Sequence, residues 1–519
     1  MLTGNRDVTL QVNKGATKIT PERHRIGTVA AVYNSLCRAR MKTRLIAVLL
    51  ACLWFIMPAH SAPAKPSPPN LLFVLADQWR GQALGFLGED PVVTPNLDRF
   101  STEGLVLPQA VSNYPVCSPY RAMLMTGQYP INNGVLGNSN SRGAQLGYEL
   151  RKNALCWSDV LHDRGYRQAW IGKWHLESPR KPYVKCENNS ATFAWNEWTP
   201  PDRRHGFDFW YGYNTFDYHM NPLYWANDTP RDKPLRVNQW GPEHEADKAI
   251  AFIRETAAAR RPFACVVSMN PPHMPYTAFP KRYLKAYEGK SMEQIVTRGN
   301  VNILGRDKFA QLARAHTRNY YAMMTGVDDQ FGRILKALKD ANLARNTIVV
   351  FTSDHGNCIG SHNQVSKNNH YEESMRIPFL IRWPGKIPAR KDDLLFSVPD
   401  VYPTLLGLMG FKRDIPEEVE GTDHSRLFRT GKGRRPTSQL YLKAEFVSPD
   451  KGSRGVRTHH YTLRIQKQKD GTEQRYLHDN QSDPWQLKNI AAERPNLVKQ
   501  LIETELQPWL NKTKDPWKP

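Results

Sequence analysis

The sequence predicts an α/β fold built on a large, mostly parallel sheet. Short apolar or β-branched runs alternate with helical patterns, as in chains of βαβ units. The chain has 519 residues, 40% hydrophobic and 10% aromatic, enough for a large packed domain and a smaller one. From about Arg435 the alternation gives way to short strand-like segments, which predicts a separate carboxy-terminal antiparallel sheet with a helix.

In chain order, Asn70–Ala76 reads as a buried first strand. Thr94-Pro95 opens a helix through about Glu103, with proline at a favoured first position. Ser118-Pro119 starts another helix, which Gly127 ends. Arg167–Ile171 and Phe263–Met269 read as further core strands. A long helix is expected from about His316 to Ala341, with Ile334, Leu335 and Leu338 on one face. Thr347–Thr352 is the next strand. The stretch from about Cys186 to Asn238 is rich in Trp, Tyr, Asn and Pro and has little periodicity. Sugar stacking and packing of a surface excursion both suit it. Beyond Arg435, strands are expected at Gln439–Phe446, Gly455–Gln466 and Gln474–His478, with a helix near Pro495–Trp509. The partition is therefore 1–64 leader, 65–434 main domain and 435–519 antiparallel subdomain. No internal repeat is visible.

Within the leader, Met41-Lys-Thr-Arg44 is a charged segment followed by an apolar run from Leu45 to Met57 and small residues to Ala62 and Ala64. That is the layout of a secretory signal peptide, so Met41 is the expected start and export to the periplasm or medium the expected destination. The run is short for a membrane span. A signal anchor is the alternative. Cys52 sits in a lipobox-like Leu-Leu-Ala-Cys, but the apolar run continues past it through Trp54, Phe55 and Ile56, against lipid anchoring. No other stretch suits a membrane span.

The net charge is +22, and beyond residue 64 there remain 62 basic and 47 acidic residues, a net of +15. A basic exported protein attracts anionic substrates, although solubility or surface binding would also use such charge. No nucleic-acid-binding motif is present. Five cysteines follow the leader: Cys117, Cys156, Cys186, Cys265 and Cys358. If Cys117 is modified, four are left, enough for two disulfides, although Cys265 lies in an apolar run that equally suits a buried free thiol.

Polar residues gather where predicted strands end. Asp77-Gln78 follows the first strand, Gly172-Lys-Trp-His175 the second core strand, Asn270-Pro-Pro-His273 the third and Asp354-His355-Gly356 the fourth. Ligands in open α/β sheets bind beyond the carboxyl ends of the strands, so the four segments describe one site. Tyr114–Gly127 contains Cys117-Ser-Pro-Tyr-Arg121 at a predicted helix start, where free N–H groups and the helix dipole favour an anionic oxygen. Asp77, Gln78 and Asp354 offer oxygen ligands to a hard cation. Lys173 and His175 are two apart, so an extended backbone would point both to one side. The pair Asp328-Asp329 falls within the long helix, where adjacent residues diverge, and reads as structural.

These segments, with Asp328-Asp-Gln-Phe-Gly-Arg333, Lys367 ahead of Tyr371-Glu-Glu-Ser374, and the late Arg457-Thr…Asp483-Pro-Trp series, occur in the order seen in type I sulfatases of the alkaline phosphatase superfamily. The chain resembles that family over roughly Asn70 to Ala491. The resemblance implies an alkaline phosphatase-like sheet sandwiched by helices. It implies oxidation of Cys117 to formylglycine (3-oxoalanine) by a maturation enzyme, an aldehyde whose hydrate attacks sulfur. It implies calcium held by Asp77, Gln78, formylglycine-117, Asp354 and His355. Gln78 and His355 replace ligands found in many members, which leaves Mg²⁺ or Mn²⁺ open. Arg121 would orient the nucleophile, and Lys173 and Lys367 would grip sulfate. His175 would take a proton from the second hydroxyl, and His273, an imidazole expected to titrate near neutrality, would protonate the leaving oxygen. The implied substrates are sulfate esters, of sulfated carbohydrate or aryl sulfate. A phosphonate monoester hydrolase or phosphodiesterase of the same superfamily, and a sulfated-glycan binding protein without turnover, are the alternatives.

Overall fold

A computed structural model describes residues 67–519 except 446, 447 and 469. The expected leader and start lie outside the described residues. The described residues contain a ten-stranded sheet and a four-stranded sheet. The strands of the first are β1 (Asn70–Ala76), β2 (Leu105–Val106), β3 (Arg167–Lys173), β4 (Phe209–Tyr213), β5 (Leu223–Ala226), β6 (Leu235–Arg236), β7 (Phe263–Met269), β8 (Thr347–Ser353), β9 (Phe379–Arg382) and β10 (Arg390–Lys391). Their spatial order is β10-β2-β9-β8-β1-β7-β3-β4-β5-β6. The central five, β8-β1-β7-β3-β4, are all parallel. Antiparallel pairs appear only toward the two edges, at β8–β9, β9–β2, β4–β5 and β5–β6.

β1 shows why these runs form core strands. Leu71, Phe73 and Leu75 enter one buried apolar cluster, and Leu72, Val74 and Ala76 enter the other. Both faces are covered, so a continuous apolar run rather than an alternating one is required. Helices α1 (Pro95–Glu103), α3 (Gly241–Ala259) and α4 (Lys308–Asp340) pack on the second face, while α2 (Cys117–Thr126) and α5 (Val398–Met409) pack on the first. The sheet is thus sandwiched by helices, as expected. The small sheet comprises β11 (Ser438–Glu445), β12 (Ser448–Thr458), β13 (Tyr461–Lys467) and β14 (Glu473–Asp479), antiparallel throughout. Its Leu440, Leu442, Val456, Leu463 and Leu477 join the first apolar cluster, beneath α2 and α5.

Several expectations are corrected. α4 begins at Lys308 rather than near His316, because the Asp307 carboxylate accepts from the backbone of Phe309 and Ala310 and caps the helix there. Thr94 is the residue before α1, but its hydroxyl donates to Asp98 instead of capping. The cap comes from α4: Asp328 accepts from the N–H groups of Asn96 and Leu97, which gives that aspartate a structural job. The run Gly455–Gln466 is two strands with a turn at His459-His460. The aromatic stretch 186–238 is not an irregular excursion, since β4, β5 and β6 extend the main sheet from it. Most of its rings, including Trp210, Tyr211, Tyr213, Phe216, Tyr224 and Trp225, are buried packing. All five described cysteines carry free thiols, so the disulfides that their number allows are not formed, and Cys265 is a buried thiol in β7, the alternative reading of its apolar run. Among the described residues no helix is long and apolar enough to cross a membrane.

Candidate active site

Parallel register brings the carboxyl ends of β1, β7 and β8 level. The Asp77 N–H donates to the Met269 carbonyl (3.0 Å), and the Asp354 N–H donates to that of Ala76 (3.2 Å). The residues that follow each strand therefore meet at one edge. Gln78 turns there with φ +69°, its N–H donating to Asp354 Oδ1 (3.0 Å) and its carbonyl accepting from the Tyr320 hydroxyl (2.6 Å). Tyr276 accepts from Gln78 Nε2 (3.1 Å) and Asn357 Nδ2 (2.9 Å), which fixes the amide with Oε1 toward the Lys367 ammonium.

α2 opens at Cys117, preceded by Val116 in extended conformation and ended by Gly127 at φ +66°. The first turn thus sets the positive end of the helix dipole at the strand ends, with the Ser118 N–H donated to Asn138 Oδ1 (3.2 Å). Cys117 Sγ lies 3.2 Å from His355 Nε2 and 3.9 Å from Asp77 Oδ1. Burial, then the Asp77 charge, push the thiol up to about 12. It stays protonated, so the encoded cysteine is a poor nucleophile in this environment.

Arg121, one turn on, is fully buried and is no surface ion pair. Its Nη1 donates to the Lys173 carbonyl and to Ser268 Oγ (both 2.8 Å), and Nη2 faces Asp77 Oδ2 (3.2 Å) and Asp354 Oδ2 (3.3 Å). Lys173, the last residue of β3, reaches Asp77 Oδ2 (2.7 Å) and Asn270 Oδ1 (3.0 Å). Gly172 before it has φ +97°, and a Cβ there would stand 2.2 Å from the Ser268 carbonyl oxygen, so only glycine lets β3 close on β7 at this point.

The extended backbone does not reach His175, whose φ is +56°. Ser118 Oγ, at the start of α2, donates to the His175 carbonyl (2.6 Å) and helps hold that turn. Both ring nitrogens of His175 are buried without a protein partner. Burial, with Lys173 and Arg121 nearby, holds its pKa well below the ordinary value, so the ring is neutral with a lone pair to offer. His355 is neutral for related reasons, burial and then Lys367. Its Nδ1 faces the Gly356 carbonyl (3.0 Å) and must carry the proton, which leaves the Nε2 lone pair facing Cys117 Sγ, with Asp354 Oδ1 at 3.5 Å and Asp77 Oδ1 at 3.8 Å.

His273 stands at the mouth. Its Nδ1 is 2.9 Å from the Met274 carbonyl and 3.4 Å from Asp217 Oδ1, both acceptors, so Nδ1–H is committed and Nε2 is the working nitrogen. Burial, Lys367 and Lys173 draw its pKa below the ordinary value, against the expectation of titration near neutrality; Asp217 opposes them.

All the residues singled out in the sequence thus converge, Lys367 through Gln78. Three neighbours escaped notice: Asn188, Asp217 and His219 come from the aromatic stretch and carry no motif. The weak signal was Asp217-Tyr-His219, an ionisable pair directly after the buried Phe216.

A divalent cation fits this centre. Donor atoms of Asp77, Cys117, Asp354 and His355 lie within 4.8 Å of one another, all buried. Burial, then the adjacent Asp77 charge, push Asp354 up to about 7 against the pull of Arg121 and Lys173.

The Sulfatase family model matches residues 69–411, and that of the N-sulphoglucosamine sulphohydrolase C-terminal region matches 360–514. An endo-4-O-sulfatase of Bacteroides thetaiotaomicron is 38% identical over 86% of this chain and 93% of its own length. An ulvan-active sulfatase of Formosa agariphila is 34% identical over 86% of this chain and 81% of its own. A crystal structure of a Bacteroides fragilis protein provisionally described as a sulfatase superposes with a TM-score of 0.85 at 48% identity, covering 88% of this chain and 98% of that one. Fold, strand-end site and relatives agree: the chain belongs to the type I sulfatases of the alkaline phosphatase superfamily and is a sulfuric ester hydrolase.

Proposed function

We propose that this protein is an exported sulfatase that removes sulfate from sulfated carbohydrates, using formylglycine made from Cys117 by a maturation enzyme and a divalent cation, calcium in the first instance. The observation that carries this reading is the convergence of Cys117 Sγ, two carboxylates and an imidazole within 4.8 Å at a helix start. The names of the two curated relatives, an endo-4-O-sulfatase and an ulvan-active sulfatase, support the substrate class. Asp77, Gln78, Asp354, His355 and residue 117 would hold the cation; Mg²⁺ and Mn²⁺ also suit this mixed oxygen and nitrogen set.

When present, the cation draws negative charge off the sulfate oxygens, and the hydrated aldehyde supplies the hydroxyl that attacks sulfur. The chain's own groups do the rest. Lys173, anchored by Asn270, and Lys367 attract and hold the sulfate oxygens. Arg121, fixed by four contacts, sets positive charge beside the attacking oxygen. His175, neutral with both nitrogens free, takes the proton from the second hydroxyl so that the aldehyde re-forms as sulfate leaves. His273 Nε2 donates a proton to the departing sugar oxygen. The half-exposed Trp195 packs edge-on to His175 (6.2 Å), and Arg142 lies over the Phe193 ring (5.3 Å), giving a ridge that suits a sugar ring and its anionic groups.

The test is sulfate release from a panel of sulfated oligosaccharides, run beside phosphate diesters and phosphonate monoesters. Selective desulfation supports the reading, and preferential turnover of phosphate diesters would overturn it. Replacing Phe193 and Trp195 by Ala is expected to raise KM on oligosaccharides; unchanged desulfation would remove the ridge from the account.

A further inference from the structure

Asp217 belongs to none of the motifs that define the site, yet its carboxylate joins both halves of the proposed chemistry. Oδ1 accepts from Asn270 Nδ2 (3.2 Å) and faces His273 Nδ1 (3.4 Å). Oδ2 accepts from Asn188 Nδ2 (3.1 Å), whose own Oδ1 receives the Asp217 N–H (3.2 Å). Asn270 in turn accepts from Lys173 Nζ (3.0 Å). Hydrogen bonds therefore run from the sulfate-gripping lysine through Asn270 to Asp217, whose carboxylate stands 3.4 Å from Nδ1 of the proposed general acid. Behind it, His219 Nε2 lies 2.9 and 3.2 Å from the carbonyls of His273 and Met274, a forked bond that pins the loop carrying the acid.

We infer that Asp217 is the positioning residue of the general acid: it orients the His273 ring so that Nε2 faces the leaving oxygen, and it stabilises the imidazolium needed to protonate that oxygen. The inference rests on the sulfatase reading above. The chemical ground is that Asp217 is the carboxylate set against Nδ1, while the cations around His273 disfavour its protonation. Lys367 and Lys173 are cationic, His219 is buried and pulled down to about 4, and His355 is neutral; Asp77 is the remaining anion. Asp217 itself stays ionised: burial would raise it, but His273 and Lys173 outweigh burial and hold it below the usual carboxylate range.

General acids matter most when the leaving group is poor. A sugar or alkyl alkoxide needs the proton, whereas 4-nitrophenolate departs largely without it. The experiment measures kcat/KM on an alkyl or sugar sulfate and on 4-nitrophenyl sulfate for wild type, Asp217→Asn and His273→Ala. Formylglycine and metal contents are checked for each. Asp217→Asn is expected to lower the alkyl-to-aryl activity ratio by about 10- to 100-fold, part of the 10²–10⁴ typical of general acid catalysis. An acid must be protonated to act, so loss of Asp217 lowers the His273 pKa and moves the alkaline limb of the kcat/KM profile to lower pH. In the His273→Ala background, Asp217→Asn is expected to change the ratio no further. Asp217→Glu restores part of the ratio. An equal loss on both substrates, with the alkaline limb unmoved, overturns the inference and leaves Asp217 as a brace for residues 188–219. Failure of wild type to turn over either sulfate overturns the sulfatase reading itself and the inference with it.

Discussion

Two clusters of buried charge are separated by a single residue in the sequence, Trp79. Asp77 and Gln78 belong to the proposed catalytic centre. Arg80 belongs to a neighbouring network in which its Nε meets Asp90 (2.6 Å), and Arg298 binds Glu373 Oε1 through Nε (2.9 Å) and Nη2 (2.6 Å). Burial alone would raise Glu373; Arg298 outweighs it and holds the carboxyl well below its ordinary value. Asp354, equally buried, goes the other way, up to about 7, because Asp77 adds a second negative charge beside it. The network matches carboxylates with guanidinium forks, whereas the centre sets two neutral imidazoles and a protonated thiol beside a carboxylate pair held by Arg121 and Lys173. Burial of charge does not mark the active site here. What distinguishes the centre is a mixed set of donor atoms, two carboxylates, an imidazole and a thiol, gathered within 4.8 Å of one another.

The sharpest way to break this contrast is at position 117. Cys117→Ala is expected to abolish sulfate release, a loss on the order of 10⁴-fold or more as for removal of a covalent nucleophile, with folding retained. Next comes chelation: activity falls to background and returns on adding Ca²⁺, and the melting temperature falls with it, by an amount worth about 2.7 kcal/mol for cation at a hundredfold excess over Kd. Chelation without loss of activity would refute the proposed cation. A paired comparison follows. Lys173→Ala in metal-loaded protein should cost about 10²–10³-fold in kcat with little unfolding. Arg298→Met should cost about 3–5 kcal/mol in denaturant unfolding, because it strands buried carboxylates, while activity per folded molecule is kept. The reverse pattern would erase the distinction between the clusters.

The smallest effect concerns pH. Glu245 on α3 is buried beneath β3, its Oε1 accepting from Tyr224 (3.1 Å), and burial pushes it up to about 8. The folded state therefore holds a proton that the unfolded state gives up near its ordinary value of 4.5. Stability is greatest below that value and declines as pH rises toward 8. Glu245→Gln should flatten that decline in denaturant titrations; an unchanged slope would move its origin elsewhere.

Much of this was legible in the sequence because parallel strands buried on both faces need continuous apolar runs, and β1, β7 and β8 carry them at 71–76, 263–267 and 348–351. Their ends fixed the site's membership. What escaped notice had local physical causes. His175 was expected to follow an extended backbone, but a left-handed turn secured by Ser118 sets it. The turn at His459-His460 lacks Gly or Pro, so two strands read as one. The start of α4 was hidden because Asp307 caps it well upstream of the apolar stripe. Asp217 and Asn188 sit among rings whose burial is decided by β4 and β5, elements with no clean period. The cysteine count suggested disulfides, but count carries no distance, and the thiols are free.

The central claim is that this centre is built around an aldehyde at position 117. The most direct measurement is the mass of the tryptic peptide Phe100–Arg121 from protein purified from its native host. The account predicts a peptide carrying formylglycine, or its hydrate, in place of the Cys117 thiol. An unmodified thiol throughout would contradict it.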